Sequence, residues 1–204
     1  MNDRRPTSQR PPDLILASTS PRRRALLSEH GLVAEICAPT VDEPEKLRED
    51  LTPVELAEAL AYYKAAGVAW TLDHGWVIGG DTVVAAGNQV FGKPHNRRHA
   101  ADIIAALAGT NHDVISAVAI IDAQSGRRQI AHDRTTIVMR ALSEQEIETY
   151  LDTGAWIGKA GAYGIQDYGD AFVTEIRGSF TNVVGMPMEL LLSMFQKWGY
   201  NAAT

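Results

Sequence analysis

The chain has 204 residues, 45% hydrophobic and 22% charged, which suits one globular α/β domain whose core needs no covalent staples. A formal net charge of −6 at pH 7 excludes a duplex nucleic-acid binder with a broad basic face, but not a small polyanionic ligand held by a few cations focused in a cleft. The single cysteine, Cys37, excludes an intrachain disulfide and a cysteine-based zinc site, and no apolar run reaches the roughly 18 residues of a membrane span.

Residues 1–12, in "MNDRRPTSQRPPD", carry arginines and prolines with no apolar segment behind them. They read as a disordered extension ahead of one domain over 13–204, not as a secretory signal, and the expected location is cytoplasmic. "DLILAS" (13–18) has the length and composition of a short strand. "SPRRRALLSEHG" then reads as a helix with Ser20 as N-cap, Pro21 at its first position and Gly31 as its stop. "LVAEICAP" (32–39) is a second strand, with Cys37 expected as a small buried residue, and "TVDEPEKLREDLT" is a polar loop. Thr52 and Pro53 open the helix "PVELAEALAYYKAAGVAW", with Leu56, Leu60, Tyr63 and Gly67 on one face.

"WVIGGDTVVAAGNQVFGKP" (76–94) reads as a hairpin: a strand through Val77 and Ile78, a glycine pair, the run "TVVAA", then "GN" and "QVF". Residues 97–108 form a helix with Ile103, Ile104 and Leu107 inward. The long runs of "HDVISAVAIIDAQSGRRQIAHDRTTIVMR" flank a Ser-Gly turn and give the clearest hairpin in the chain. "LSEQEIETYLDTG" follows as a helix, Ser143 capping it with Glu146 at the capping-box offset. The Gly-rich "GKAGAYGIQDYGD" leads to a strand in "AFVTEIRG" and a last helix in "PMELLLSMFQKWG". This order predicts a mixed α/β sheet, not a regular βαβ array.

The signatures of P-loops, zincins, nucleophile elbows and thiol-redox proteins are absent from the sequence, and the six histidines do not fall at metal-ligand spacing. Each histidine reads as a surface or satisfied polar residue. Four places carry chemistry. The turn "ASTSPRRR" offers hydroxyls and backbone N–H groups at a helix N-terminus, a ready anion site. Arg22 and Arg23 stand in that first turn, where a cation opposes the helix dipole: either helix stability is traded for a ligand that guanidinium binds, such as phosphate, or the arginines are simply solvated beside a capped helix. Asp81, in "VIGGDTVV" at the end of an apolar strand, can accept a proton from water, bind a hard cation, or simply satisfy turn N–H groups. Lys64 and Lys93 each read alone as ordinary solvated side chains. Gln166, in "AGAYGIQD", has both a donor and an acceptor, which matches the N3–H and carbonyl of a uracil or thymine edge, or caps backbone.

Taken together, "LASTSPRR", "VDE", "KA", "GGDTVV", "GKP", "KAGAYGIQ" and "GSFTNVVGMP" stand in an order that resembles the Maf family of septum-formation-inhibitor-like nucleotide pyrophosphatases, over about residues 14–192. The resemblance implies an elongated mixed sheet with flanking helices, two lobes around a cleft, and hydrolysis of a nucleoside triphosphate to the monophosphate and pyrophosphate. It also implies a divalent cation, Mg²⁺ or Mn²⁺. By motif, Ser18, Arg22 and Arg23 would hold phosphates, and Lys64 and Lys93 would line the cleft. Glu43 of "VDE" would be a cleft carboxylate, Asp81 the catalytic base, and both are candidate metal ligands. "DTVV" with "AGAYGIQ" resembles the branch acting on dTTP and UTP, with Arg22, Thr82 and Gln166 as the specificity set. A homodimer is the expectation for such proteins.

The sequence departs from the family pattern where Asp167 follows Gln166 in place of glycine, and where Gly-Gly precedes Asp81 in place of Gly-Ala. The alternatives are a 7-methyl-GTP pyrophosphatase, which would carry a glutamate at the position of Gln166, and a nucleotide-binding regulator of cell division without catalysis. A pure binder needs the cations but not Asp81.

Overall fold

Leu14, Ile15 and Leu16, buried on both faces, form strand β1 (Leu14–Leu16), the pivot of a mixed seven-stranded sheet. The computed structural model describes residues 13–39, 51–166 and 171–200. The N-terminal extension over 1–12, Glu43 and Asp167 lie outside them.

From β1 the chain turns into α1 (Pro21–Glu29), where Ser20 Oγ accepts the Arg23 N–H and Gly31, at φ +73°, ends the helix as its sequence predicts. β2 (Ala34–Ile36) lies parallel to β1. Cys37, just beyond β2, is half-buried rather than buried. α2 (Pro53–Ala69) starts with a full capping box, in which Thr52 and Glu55 satisfy each other's backbone N–H groups. The core strand β3 (Trp76–Ala86) pairs parallel to β1 and turns back into β4 (Gln89–Phe91). α3 (Arg97–Leu107) precedes the long antiparallel hairpin of β5 (Asn111–Asp122) and β6 (Arg128–Met139). α4 (Glu144–Asp152) has the expected Ser143–Glu146 capping box. A 3₁₀ turn (Ala160–Ala162), edge strand β7 (Val173–Arg177), α5 (Phe180–Val184) and α6 (Met188–Lys197) complete the described chain.

Three apolar clusters hold this together. α2 packs on one face of β3 and β5, α1 and α6 cover the opposite face, and α3 and α4 enclose the far ends of β5 and β6.

Two further expectations are corrected. Gly79 and Gly80 do not break the strand: β3 runs unbroken for 11 residues, so Asp81 sits mid-strand and not at a strand end. Tyr63 is 39% exposed, and the buried face of α2 runs instead through Ala57, Ala61 and Ala65 beside Leu56 and Leu60. The reason is proximity. A Cβ on Gly79 would stand 2.3 Å from the Ala61 carbonyl oxygen, so helix and strand meet at a distance only alanine and glycine allow.

The edges of β3 explain where the site lies. β5 pairs with one edge from Trp76 to Ala85. The other edge is shared, with β1 opposite 76–78 and β4 opposite 84–86. Residues 79–83 have no strand partner on that edge among the described residues, which leaves a notch just past the carboxyl end of β1, the usual crevice of a parallel arrangement.

Candidate active site

The notch opens into a cavity of about 590 Å³. Because side chains alternate along a strand, Asp81 projects from β3 toward α2 while Thr82 projects toward α1 and α5. Both line the same cavity, since the missing strand partner opens the notch to both faces of the sheet.

On the first face, Lys64 of α2 donates to Asp81 Oδ1 at 2.5 Å. Neither side chain is solvated, at 14% and 11% exposed, which corrects the reading of Lys64 as an ordinary surface lysine. On the second face, Arg23 is built into the wall. Its Nε donates to the Gly185 carbonyl at 2.8 Å, Nη1 to Ser18 Oγ at 3.4 Å and Nη2 to Thr82 Oγ1 at 3.2 Å. Gly80 leaves room for this arm, as a Cβ there would come within 3.3 Å of Arg23 Nε.

The segment after α4 supplies the rest of the rim. Gly161 and Ala162 both take left-handed backbone, at φ +72° and +60°. For alanine this conformation costs about 1–2 kcal/mol. The turn brings Lys159, Tyr163, Gly164, Ile165 and Gln166 to the cavity. Gly161 is needed at this turn for space as well, since a Cβ would meet the Val84 side chain at 2.9 Å.

Eight of the nine site residues expected from sequence therefore meet in one cavity: Ser18, Arg22, Arg23, Lys64, Asp81, Thr82, Lys93 and Gln166. The ninth, Glu43, is outside the described residues. Sequence reasoning missed Lys159, although a lone cation between Gly158 and Gly161 was a usable signal. It also missed Tyr163, whose hydroxyl lies 2.7 Å from His112 Nε2. His112 corrects the expectation for histidines: it is 2% exposed and its Nδ1 has no hydrogen-bond partner among the described residues. Burial lowers its pKa from 6.5 to about 4, and burial raises that of Tyr163 above its ordinary value.

Five cations and one carboxylate thus face the cavity among the described lining residues, in a chain of net charge −6. Such focusing attracts a compact polyanion. The Val84, Val114, Val183 and Val184 side chains give the same cavity an apolar part able to take a ring.

Comparison with known proteins finds relatives over nearly the whole chain. The Maf-like protein family matches residues 13–198. The chain is 46% identical over 189 residues to the dTTP/UTP pyrophosphatase of Pelotomaculum thermopropionicum, covering 93% of this chain and 98% of that one. It is similar to the dTTP/UTP pyrophosphatase of Desulforamulus reducens, at 40% identity over 186 residues with 91% and 96% coverage. For the dTTP/UTP pyrophosphatase of Moorella thermoacetica the identity is 42% over 191 residues, with 91% and 97% coverage.

Proposed function

The chain belongs to the Maf family, and on that basis we propose that it hydrolyses dTTP and UTP to the corresponding monophosphate and pyrophosphate. The observation that carries the reading is the lone carboxylate of the described cavity wall, Asp81, fixed by Lys64 at 2.5 Å among side chains that are otherwise cationic. A site that only binds a triphosphate needs its cations but no proton acceptor beside the phosphates. The cell-division regulator without catalysis is therefore disfavoured, and Gln166 disfavours the 7-methyl-GTP enzyme.

The residues divide the work by their chemistry. Arg22, Arg23, Lys93 and Lys159 screen the triphosphate, whose own charge otherwise repels a nucleophile, and stabilise charge on the departing pyrophosphate. Asp81 accepts the proton of the attacking water, with Lys64 holding its orientation. Thr82 and Gln166 face the pyrimidine.

A divalent cation is part of the same proposal. Among the described residues no group of three or more His, Cys, Asp or Glu could hold an ion alone. The donor set nonetheless fits Mg²⁺ or Mn²⁺ arriving with the substrate, because such ions take one or two carboxylates and complete their shell with phosphate oxygens and water. Asp81 would supply the carboxylate, and Glu43, the second ligand that the family motif implies, lies outside the described residues. When bound, the cation polarises the phosphates it touches.

No described helix is long and apolar enough to cross a membrane. The reading carries a cytoplasmic location, where nucleoside triphosphates are abundant, and the homodimer implied by the family resemblance is tested by sedimentation. The central experiment is pyrophosphate release from dTTP, UTP and 7-methyl-GTP with Mg²⁺ or Mn²⁺. Release from dTTP and UTP is expected. A protein that turns over 7-methyl-GTP in preference, or none of the three, overturns the proposal.

A further inference from the structure

Behind Thr82 lies a chain of hydroxyls that does not touch the cavity. Thr82 Oγ1 is 2.8 Å from Ser116 Oγ, and Ser116 Oγ is 2.8 Å from the Asn182 carbonyl oxygen. Ser116 and Asn182 are both fully buried. The Asn182 side chain is pinned in turn: its Oδ1 accepts the Ser116 N–H at 3.0 Å, and its Nδ2 donates to the Val114 carbonyl and to Thr135 Oγ1, both at 2.9 Å. α5 is thereby fastened to β5 and β6, and the Asn182 carbonyl is fixed in place.

Counting protons gives this chain one direction. A carbonyl cannot donate, so the only proton available between Ser116 and Asn182 is that of the Ser116 hydroxyl. With that proton committed, the 2.8 Å contact between Thr82 and Ser116 needs the proton of Thr82. The reverse assignment would press two oxygens together at 2.8 Å without a proton between Ser116 and Asn182. It would also leave Thr82 donating to the Gly185 carbonyl at a long 3.4 Å. That carbonyl already receives Arg23 Nε at 2.8 Å. Arg23 Nη2 can only donate, so it takes one lone pair of Thr82.

A threonine hydroxyl has one proton and two lone pairs. In this setting the proton goes to Ser116 and one lone pair to Arg23. What Thr82 has left for a ligand is a single acceptor.

We propose that Ser116 is a positioning residue that locks Thr82 as a hydrogen-bond acceptor toward the cavity, and so selects pyrimidine rings that carry a proton on N3 over cytosine. Uracil and thymine present N3–H, which Thr82 accepts while Gln166 donates its amide N–H to the neighbouring ring carbonyl. Cytosine presents a bare N3 lone pair, which meets the Thr82 lone pair and is repelled. The inference rests on the nucleotide-hydrolase reading and adds a residue outside the cavity to its specificity set. Arg23 takes part from the other side, since its bond polarises the Thr82 hydroxyl along the chain.

The test is Ser116→Ala, with kcat/KM measured for UTP and the inhibition constant measured for CTP as a competitor of UTP. In the variant Thr82 regains a rotating hydroxyl that can donate as well as accept. kcat/KM for UTP is expected to fall about tenfold, the equivalent of one lost net hydrogen bond, while CTP binds as tightly as before or more tightly. Equal weakening of UTP and CTP overturns the proposal, because that is what a structural role, or a Thr82 reading a sugar hydroxyl common to both nucleotides, would produce. If the alanine variant does not fold, Ser116→Cys keeps a small side chain with a weaker donor. Its UTP preference must fall part of the way, and an unchanged preference overturns the proposal. Failure of wild-type protein to release pyrophosphate from UTP is a separate result, and it removes the nucleotide-hydrolase reading itself.

Discussion

Lys64 and Asp81, 17 residues apart on α2 and β3, meet at 2.5 Å in the wall of the cavity. The pair couples a helix to the strand that carries the proposed base. Asp81→Asn keeps the shape and removes the proton acceptor, so pyrophosphate release should fall by about 10²–10⁴, the range for loss of a general base. Unchanged release would remove Asp81 from the base role. Lys64→Met leaves the Asp81 carboxylate without its ion-pair partner. Breaking a buried ion pair from one side costs up to about 3–5 kcal/mol, and the small residual exposure of both groups places this pair toward the lower end. Urea denaturation of that variant should show the loss alongside a lower rate.

The closeness of α2 and β3 makes Gly79 a second test. A Cβ there would lie 2.3 Å from the Ala61 carbonyl oxygen and 2.7 Å from the Ala65 nitrogen, both backbone atoms that cannot swing aside. Gly79→Ala must push α2 outward, at an overpacking cost of about 1–3 kcal/mol or more. Since α2 carries Lys64, activity should fall with stability. A Gly80→Ala variant meets the Arg23 and Met186 side chains at 3.3 Å each and the Ala117 carbonyl oxygen at an ordinary 3.5 Å, and should be tolerated better. Thermal melts of the two variants compare them directly.

Much of this was legible in the sequence, for reasons local to each segment. Ser20, Thr52 and Ser143 announce helix starts because a cap acts on N–H groups two or three residues away. The β5–β6 hairpin is announced by its two long runs and the Ser-Gly turn between them. The gathering of eight site residues followed from motif order and not from any single motif. What stayed hidden is tertiary. Gly79 and Gly80 look like a strand break, and only the approach of Ala61 and of Arg23 explains them as spacers. Lys64 looks solvated until a carboxylate from another element is placed against it. α5 is a five-residue helix without a periodic apolar face, and Asn182 within it has meaning only through Val114, Ser116 and Thr135, all distant in sequence.

The two arginines of the first turn should respond differently to the same exchange. Arg23 uses three guanidinium nitrogens on three partners, whereas a lysine offers one nitrogen and no fork. Arg23→Lys should lower kcat/KM about tenfold or more through misplacement of Thr82 and the Gly185 loop, at roughly one net hydrogen bond per factor of ten. Arg22→Lys keeps the charge at the helix N-terminus, where a point charge still attracts phosphate, and should chiefly raise KM. Steady-state kinetics with UTP separates the two.

Gln166 offers a donor and an acceptor, so Gln166→Glu replaces the donor with a second acceptor. The carbonyl of a uracil edge then faces a carboxylate, while the N–H groups of a guanine edge gain a partner. kcat/KM for UTP should fall by about 10²-fold or more, since an unpaired buried polar group is a strong discriminator. Turnover of 7-methyl-GTP should rise. A variant that keeps its UTP preference would place Gln166 outside the base site.

His112 gives a stability prediction with a definite sign. It is 2% exposed, its Nε2 is engaged with the Tyr163 hydroxyl, and burial lowers its pKa from 6.5 to about 4. Between pH 6.5 and 4 the unfolded chain binds a proton at this residue and the folded chain does not, so stability falls as pH falls through that window. The contribution is fully present above pH 6.5 and fully lost below about pH 4. The loss amounts to about 3 kcal/mol. His112→Gln keeps a polar group able to reach Tyr163 and does not titrate. Urea denaturation at successive pH values should show a slope in this window for the wild type and a flatter one for the variant. Because Tyr163 lines the cavity, the same protonation should disturb the site before the whole fold is lost. Activity assayed on folded protein should therefore decline toward pH 4 more steeply in the wild type than in His112→Gln, and equal declines would uncouple His112 from the cavity wall.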